Sequence, residues 1–279
     1  MPKVINPQEK VPDSQSIKAT GDICYSDYIR NIDKSKVPTC NILGVNIAAV
    51  DMDWVIKYIK KYIKDLSGDY ICVSNVHTTV TSYENPEYCA IQNCGIMALP
   101  DGGPLSTLGR KRGYQNMDRV AGPSLMGEIF KISVENGYRH YFYGSTKETL
   151  GRLCNKLQKD YSSIQIVGMH SPPFHPITQA EDEEIIKEIN DINPDFVWIG
   201  LGAPKQEKWM AMHKGKVKGL MVGVGAGFDY YAGNIKRAPQ WMQKINLEWV
   251  YRLLQDPRRL FKRYLYTNTK FLWLVARGK

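Results

Sequence analysis

The chain has 279 residues, of which 43% are hydrophobic and 23% are charged, and its formal net charge at pH 7 is +9. This length and composition fit one large or two small domains with a real hydrophobic core, so a soluble body is expected. No stretch approaches the roughly 18 consecutive apolar residues that cross a bilayer, which excludes a transmembrane segment.

The start of the chain is polar and lacks the apolar core of a signal peptide. The protein is therefore expected in the cytoplasm, as a peripheral protein on the inner face of the cell membrane. The six cysteines form no CxxC pair and have no zinc-like spacing with the five histidines. Disulfides and a structural metal are not expected.

Residues 1–38 show no sustained periodicity, which predicts a flexible N-terminal extension. From Cys40 onward, short apolar runs alternate with longer amphipathic ones, a pattern typical of βα units. We predict an α/β catalytic domain over residues 39–235, with a mostly parallel, Rossmann-like sheet flanked by helices. The predicted strands are 41–47, 70–73, 95–99, 139–143, 164–167, 196–201 and 219–224. The predicted helices are 54–66, 124–136, 147–159, 180–190 and 205–212.

Residues 236–279 form a basic tail that carries the whole net charge of the chain. The tail has eleven Lys and Arg residues against two acids, whereas residues 1–235 are electrically balanced. On a helical wheel, the segment 258–265 separates cations from apolar side chains. The cations are Arg258, Arg259, Lys262 and Arg263, and the apolar arc consists of Leu260, Phe261, Tyr264 and Leu265. Such a helix fits the interface of an anionic membrane; the alternative is a terminal helix docked on the protein with a solvated basic face.

Four polar segments directly follow predicted strands, and ligands of parallel α/β sheets collect beyond the carboxyl ends of the strands. The segments are 74–78, 99–104, 200–207 and 223–229, and we expect them to line one cleft. Asp101 lies in a loop that is rich in Gly and Pro, where its carboxylate is held close to a ligand as a general base must be. The alternative is a simple Pro-Asp-Gly turn.

Two further segments suggest phosphate binding. Gly223, Gly225 and Gly227 only superficially resemble a dinucleotide fingerprint, because the final spacing is missing and no helix-forming run follows. Their backbone N–H groups are still able to meet a diphosphate. Arg119 lies just before a predicted helix whose N-terminus would help it to hold phosphate, and the alternative is a surface salt bridge with Asp118 or a neighbour.

Asp51 and Asp53 resemble the DxD pair by which many sugar-nucleotide enzymes hold a divalent metal. They directly precede a predicted helix, so capping of its N-terminus is the favoured interpretation.

Six motifs between residues 40 and 265 are in register with a known family. They are residues 99–102 (Leu-Pro-Asp-Gly), 119–122 (Arg-Val-Ala-Gly), 200–209 (Gly-Leu-Gly-Ala-Pro-Lys-Gln-Glu-Lys-Trp), 223–229 (from Gly-Val-Gly to Phe-Asp), 236–239 (Lys-Arg-Ala-Pro) and 248–259 (Glu-Trp-Val-Tyr-Arg-Leu-Leu-Gln-Asp-Pro-Arg-Arg). In these motifs the chain resembles the WecG/TagA/CpsF glycosyltransferases (glycosyltransferase family 26), known for sugar transfer in teichoic-acid and enterobacterial-antigen synthesis.

The resemblance implies a GT-E-like fold with a helical, basic, membrane-binding appendage at residues 236–279. It implies an inverting transfer of N-acetylmannosamine or a related hexose from a UDP-sugar to a polyprenyl-diphosphate-linked sugar, in cell-surface polysaccharide or teichoic-acid synthesis. No cofactor and no DxD metal site are implied. The expected partners are the UDP-sugar donor, the lipid-linked acceptor and an anionic membrane surface, with a homo-oligomer kept as an option and no nucleic acid.

The resemblance also implies roles for single residues. Asp101 matches the proposed catalytic base, Asn75 and Gln206 match polar residues of the donor pocket, and Arg119 matches a phosphate-contacting arginine. The C-terminal appendage, which is proposed to close over the site and touch the lipid diphosphate, is matched by Arg252, Arg258, Arg259 and Arg263.

Two departures from the family pattern bear on sugar specificity. Val73 stands where many relatives have Thr, and Ser124 stands where they often have Asp. Two other functions therefore stay open at this point: a non-catalytic, membrane-associated scaffold of a polysaccharide assembly complex, and an NAD-type oxidoreductase.

Overall fold

The computed structural model describes residues 36–173 and 175–279, in which a single eight-stranded sheet lies between two layers of helices. The predicted extension, up to residue 35, lies outside the described residues. The strands are β1 (Thr39–Ile42), β2 (Val45–Ala48), β3 (Tyr70–Ser74), β4 (Met97–Pro100), β5 (Arg139–Gly144), β6 (Gln165–His170), β7 (Phe196–Gly200) and β8 (Leu220–Gly223). Their order is β1-β2-β4-β3-β8-β7-β5-β6, and every neighbouring pair except β1–β2 is parallel. The predicted α/β class is confirmed.

The prediction of one strand over 41–47 is wrong, because this segment is a β-hairpin. Leu43 and Gly44 form its turn with φ angles of 52° and 92°, and the side chain of Asn41 accepts a hydrogen bond from the Gly44 N–H at 3.2 Å. Two positive φ angles in a two-residue turn match the twist of the flanking strands. The turn escaped the sequence analysis because Leu rarely adopts a positive φ.

Twelve helices lie within the described residues. They are α1 (Met52–Tyr62), α2 (Val76–Glu84), α3 (Pro86–Cys94), α4 (Gly103–Lys111), α5 (Gly122–Asn136), α6 (Lys147–Asp160), α7 (Gln179–Ile192), α8 (Lys205–His213), α9 (Gly227–Tyr231), α10 (Gln240–Lys244), α11 (Glu248–Gln255) and α12 (Pro257–Ala276). The five predicted helices are confirmed with small shifts at their ends. The prediction that no helix follows Gly227 is wrong, since the five-residue helix α9 begins there.

The favoured interpretation of Asp51 is also confirmed. Its carboxylate accepts a hydrogen bond from the Trp54 N–H at 2.8 Å and so caps α1. This bond satisfies one of the free N–H groups at the start of the helix.

The core consists of two apolar clusters, one on each face of the sheet. One face is covered by α1, α5 and α6, whose buried side chains include Trp54, Ile129 and Leu153. The other face is covered by α2, α4, α7, α8 and α12. Its cluster includes Cys72, which is fully buried and packs as a small hydrophobic residue. The central strands are covered by helices on both faces, so their sequences are continuous apolar runs and do not alternate between apolar and polar residues.

The helix α12 has a docked face and a free face. Leu260, Phe271 and Leu274 are almost fully buried against the body, whereas Phe261 and Leu265 are 56% and 60% exposed. The predicted apolar arc therefore divides, since Leu260 packs on the body while Phe261 and Leu265 stay exposed. None of the helices in the described part of the chain is long and apolar enough to span a bilayer.

Candidate active site

The four polar segments predicted to share one cleft follow neighbouring strands. Strands β4, β3, β8 and β7 are adjacent in the sheet, so the loops after their carboxyl ends lie side by side. The Asp101 N–H donates to the Ser74 carbonyl at 2.7 Å, and the Val224 N–H donates to the Ile199 carbonyl at 3.0 Å. These bonds tie the loops together in pairs.

Asp101 follows β4 directly and lies among charged groups from two other segments of the chain, Arg119 and the helix α11. Its side chain is 26% exposed, and its Oδ1 atom lies 3.5 Å from Nη2 of Arg119. Burial raises the pKa of Asp101 above its ordinary value, the positive charges of Arg119 and Arg252 oppose this, and the negative charge of Glu248 adds to it. A carboxylate with a raised pKa is a better proton acceptor than an ordinary one.

Arg119 precedes α5 and pairs with two carboxylates. Its Nη2 atom donates to Oε2 of Glu248 at 2.5 Å, and the longer contact to Asp101 lies beyond a normal hydrogen bond. The side chains of Arg119 and Glu248 are 18% and 13% exposed. Asp118, which the alternative interpretation named as a partner of Arg119, pairs with Arg110 instead, and Arg119 forms its ion pairs with Glu248 and Asp101 in a largely buried position.

The basic tail brings Arg252 and Arg263 towards this site. The Arg252 guanidinium lies over the ring of Tyr230 at 5.8 Å, and Arg263 over the ring of Tyr264 at 5.4 Å. Burial raises the pKa of Tyr230 to about 12, and the charge of Asp101 contributes to this shift. The tail therefore lies close to Asp101.

Three buried guanidinium N–H groups, two beside Asp101 and one next to Arg252, have no acceptor among the described residues. They are the Nε groups of Arg119, Arg252 and Arg263. Buried donors are nearly always satisfied in folded proteins, so a cluster of unsatisfied cationic donors indicates space for an anionic ligand.

The other two predicted tail arginines lie further out. Arg258 is exposed, and Arg259 is 59% exposed and pairs with Asp256 of its own helical turn at 2.5 Å. Neither is among the charged groups that shift the pKa of Asp101.

Asn75 and Gln206, predicted for the donor pocket, both brace the loops of the site. The Asn75 side-chain oxygen caps α2 by accepting from the N–H groups of His77 and Thr78 at 3.0 and 3.2 Å. The Gln206 oxygen accepts from the N–H groups of Gly202 and Gly225 at 3.2 and 2.9 Å. Gln206 is 4% exposed, so it holds two glycine turns from inside the protein.

The three glycines of the 223–227 segment are required for local reasons. Gly225 has a φ of +52°, and a Cβ atom at Gly223 would lie 2.7 Å from Cε of Met210. A Cβ atom at Gly227 would lie 2.6 Å from Sδ of Met126. Packing and backbone conformation thus explain these positions without a dinucleotide.

Two residues of the site were included in the sequence analysis without a role of their own. Glu248 was counted as one of two acids in the tail and begins the motif 248–259, and these were the available signals. His77 follows Asn75, and its Nδ1 atom is buried without a hydrogen-bond partner among the described residues. Burial lowers the pKa of His77 to about 4, and the charge of Arg263 adds to the effect. His77 is therefore neutral at physiological pH.

Comparison with known proteins matches residues 40–279 to the Glycosyl transferase WecG/TagA/CpsF family. The chain belongs to this family. An N-acetylglucosaminyldiphosphoundecaprenol N-acetyl-beta-D-mannosaminyltransferase of Staphylococcus aureus (strain MW2) is 27% identical over 250 residues, which cover 88% of this chain and 96% of the relative. The protein of the same name from Bacillus subtilis (strain 168) is 31% identical over 213 residues, which cover 75% and 80%.

Membership of the WecG/TagA/CpsF family makes the chain a glycosyltransferase and removes the oxidoreductase alternative. The two relatives are named for transfer of an N-acetylmannosaminyl group to an acceptor on a lipid-linked diphosphate. The match extends to residue 279 and therefore includes the basic tail.

Proposed function

We propose that this glycosyltransferase moves N-acetylmannosamine or a closely related hexose from a UDP-sugar to a hydroxyl group of a polyprenyl-diphosphate-linked sugar, in the synthesis of a cell-wall polymer. The acceptor class is supported by the names of the relatives. The observation that carries the proposal is the carboxylate of Asp101 at the carboxyl edge of the sheet, beside Arg119 and Arg252, whose buried Nε donors have no acceptor among the described residues.

In this proposal Asp101 is the general base. It takes the proton of the acceptor hydroxyl while that oxygen forms a bond to the anomeric carbon. The bond from the anomeric carbon to the UDP oxygen breaks, and UDP leaves with the electron pair. Attack from the face opposite UDP inverts the configuration at that carbon.

Arg119, Arg252 and Arg263 balance the charge that develops on the leaving diphosphate in this proposal. Their buried Nε donors are positioned before the ligand arrives, so no reorganisation is needed during the reaction. The segment 223–227 is not counted among these donors, because the N–H groups of Val224, Gly225 and Gly227 already donate to acceptors within the protein. We expect the transfer to need no divalent metal, because the arginines supply the positive charge.

Replacing Asp101 tests the proposal. Asp101→Asn removes the proton acceptor and keeps the size of the side chain, so kcat should fall by about 10²-fold or more while the UDP-sugar still binds. UDP release with a polyprenyl-diphosphate-linked acceptor measures kcat, and titration calorimetry measures donor binding. Asp118→Asn is the matched control, since Asp118 is 70% exposed and its partner is Arg110.

Near-normal turnover of Asp101→Asn would remove Asp101 from the role of base. Absence of UDP release from the wild-type protein with any such acceptor would favour the scaffold alternative instead. The same assay with EDTA checks the metal-independent transfer, and a loss of activity there would contradict it.

A further inference from the structure

Arg119 lies between two carboxylates that come from distant parts of the chain. A single nitrogen, Nη2, lies 2.5 Å from Oε2 of Glu248 and 3.5 Å from Oδ1 of Asp101. The first contact is a short hydrogen bond and the second is only a longer ion pair. Glu248 therefore has the stronger contact with the arginine that would otherwise neutralise Asp101.

The position of Glu248 is fixed by the packing of the tail on the Asp101 loop. Glu248 begins α11, and the preceding turn includes Asn246, whose φ is 62°. Asn246 packs so closely on Gly103 that a Cβ atom there would lie 1.8 Å from Cγ of Asn246. The carboxylate of the tail is thus brought to Arg119 by contacts with the same loop that carries Asp101.

We propose that Glu248 is a positioning residue that holds Arg119 away from Asp101, so that the general base is not neutralised by a full ion pair. This inference rests on the proposed function, since it assigns to Asp101 the role of base. Docking of the tail would then complete the site in two ways, by supplying Arg252 and Arg263 and by adjusting Asp101 through Arg119.

The charged and titratable groups that face Asp101 are Arg119, Glu248, Arg252 and Tyr230. Tyr230 is uncharged in the working range, because its pKa is raised to about 12. Of the other three, Glu248 raises the pKa of Asp101 and the two arginines lower it. Removing the charge of Glu248 removes a negative charge that raises the pKa of Asp101. It also frees Arg119 to approach Asp101, so both effects lower that pKa.

The experiment measures kcat/KM against pH for the full chain and its Glu248→Gln variant, because this profile reports the pKa of the essential base in the free enzyme. The acid limb of Glu248→Gln should move to lower pH by about half a unit or more, and the rate on the plateau should fall several-fold because a less basic carboxylate accepts protons less well. Glu248→Asp keeps the charge but withdraws it by one methylene group. The acid limb of Glu248→Asp should lie between those of the wild type and of Glu248→Gln.

Glu84→Gln is the matched control for tail docking. Glu84, on α2, contacts Lys270 and the Tyr266 hydroxyl of α12, at a distance from the groups that face Asp101. Its replacement weakens another attachment of the tail without touching Arg119. Whatever the change in its rate, the acid limb of Glu84→Gln should stay where it is in the wild type.

An unmoved acid limb in both Glu248 variants would overturn the inference and leave Glu248 as an anchor of the tail. Turnover by Asp101→Asn at the wild-type rate would instead overturn the proposed function. An inactive Asp101→Asn together with an unmoved limb in Glu248→Gln contradicts only the inference about Glu248.

Discussion

His140, on β5, is a buried histidine whose surroundings keep it neutral. Its Nδ1 atom accepts a hydrogen bond from the indole N–H of Trp198 at 3.0 Å, and its ring stacks on Phe196. Its Nε2 atom has no partner among the described residues. Burial lowers the pKa of His140 to about 3, because a charged imidazolium would lie in this apolar layer without an acceptor.

Stability should therefore fall as the pH decreases. Below an ordinary histidine pKa of about 6.5 the unfolded chain binds a proton at this position that the native protein does not, so the free energy of unfolding decreases by about 1.4 kcal/mol per pH unit until the native pKa is reached. His77, whose pKa is lowered to about 4, adds a slope of the same sign. Urea denaturation at pH 7.5 and at pH 5 measures the loss.

The His140→Asn variant separates the two histidines. It removes the titrating ring, so its stability should depend less on pH between 7.5 and 5 than that of the wild type, whatever its stability at pH 7.5. An equal dependence in both proteins would mean that His140 is protonated in the native state. Lower stability at both pH values is expected in any case, because a smaller side chain leaves a cavity in the core.

At the scale of elements, the site depends on how the turn before α11 packs on the start of α4. Gly103 and Asn246 are in direct contact there, with no space for a side chain at position 103. The N-terminal end of α12 is capped by Asp256, and its middle is attached to α2 through Glu84. The tail is thus held at several points, of which the Gly103 contact lies closest to Asp101.

Gly103→Ala should displace the tail without unfolding the sheet. The added methyl group would lie 1.8 Å from Cγ of Asn246, so the turn that leads into Glu248 has to move. We expect turnover to fall by about 10- to 100-fold, since displacements of about 1 Å in a catalytic arrangement have effects of this size. Steady-state UDP release and limited proteolysis of the tail measure the two consequences.

Gly151→Ala is the control for Gly103→Ala. Gly151 lies within α6, and nothing lies within 4 Å of a Cβ atom at this position. The substitution should raise the free energy of unfolding by about 0.5–1 kcal/mol, because Ala is a better helix former than Gly, and leave turnover unchanged. If Gly103→Ala behaves in the same way, the tight contact with Asn246 does not determine the position of the tail.

At the scale of the whole molecule, charge and exposed apolar surface are concentrated in the same tail. Trp241, Leu254, Phe261, Leu265 and Leu272 are between 56% and 74% exposed. Three of them, Phe261, Leu265 and Leu272, form what we call the free stripe of α12, beside the cations Arg258 and Lys262. A stripe of this kind fits the interface of an anionic membrane, with its apolar side chains in the headgroup region and its cations near phosphates.

Replacing the free stripe by serine should therefore weaken membrane binding. The triple variant Phe261→Ser, Leu265→Ser and Leu272→Ser should co-sediment with phosphatidylglycerol-containing vesicles at least about tenfold less than the wild type, since each large apolar side chain contributes about 1.5–3 kcal/mol when fully buried. Its thermal stability should be retained, because these side chains are exposed. Truncation of the tail is a poorer test, as it would also remove Leu260, Phe271 and Leu274 from the core.

Met212→Ser is the matched control for the stripe. Met212 lies on α8 and is 66% exposed. The Met212→Ser variant therefore removes a comparable exposed apolar side chain from the body of the protein. Its vesicle binding should equal that of the wild type. If the triple variant still pellets with vesicles as the wild type does, the free stripe is not the membrane contact.

The sequence alone determined the α/β class, the five predicted helices and the position of Asp101 directly after a strand. These follow from local patterns: apolar periodicity in the strands and helices, and a carboxylate in a Pro- and Gly-rich loop directly after a strand. The charge of the tail is equally a property of the sequence, as is the family resemblance of its motifs. The hairpin at Leu43 and Gly44 was missed because its turn uses a residue that rarely adopts a positive φ.

Only the tertiary structure decided which charges meet. Arg119 and Glu248 are 129 positions apart, and no local pattern indicates that the single glutamate of a basic tail pairs with an arginine beside Asp101. In the same way, the periodicity of α12 shows that it has an apolar arc, but packing against α2 decides which apolar residues enter the core and which stay exposed. Local sequence specifies the elements through backbone propensity and patterning, whereas an ion pair between distant segments depends on how the whole sheet and its helices assemble.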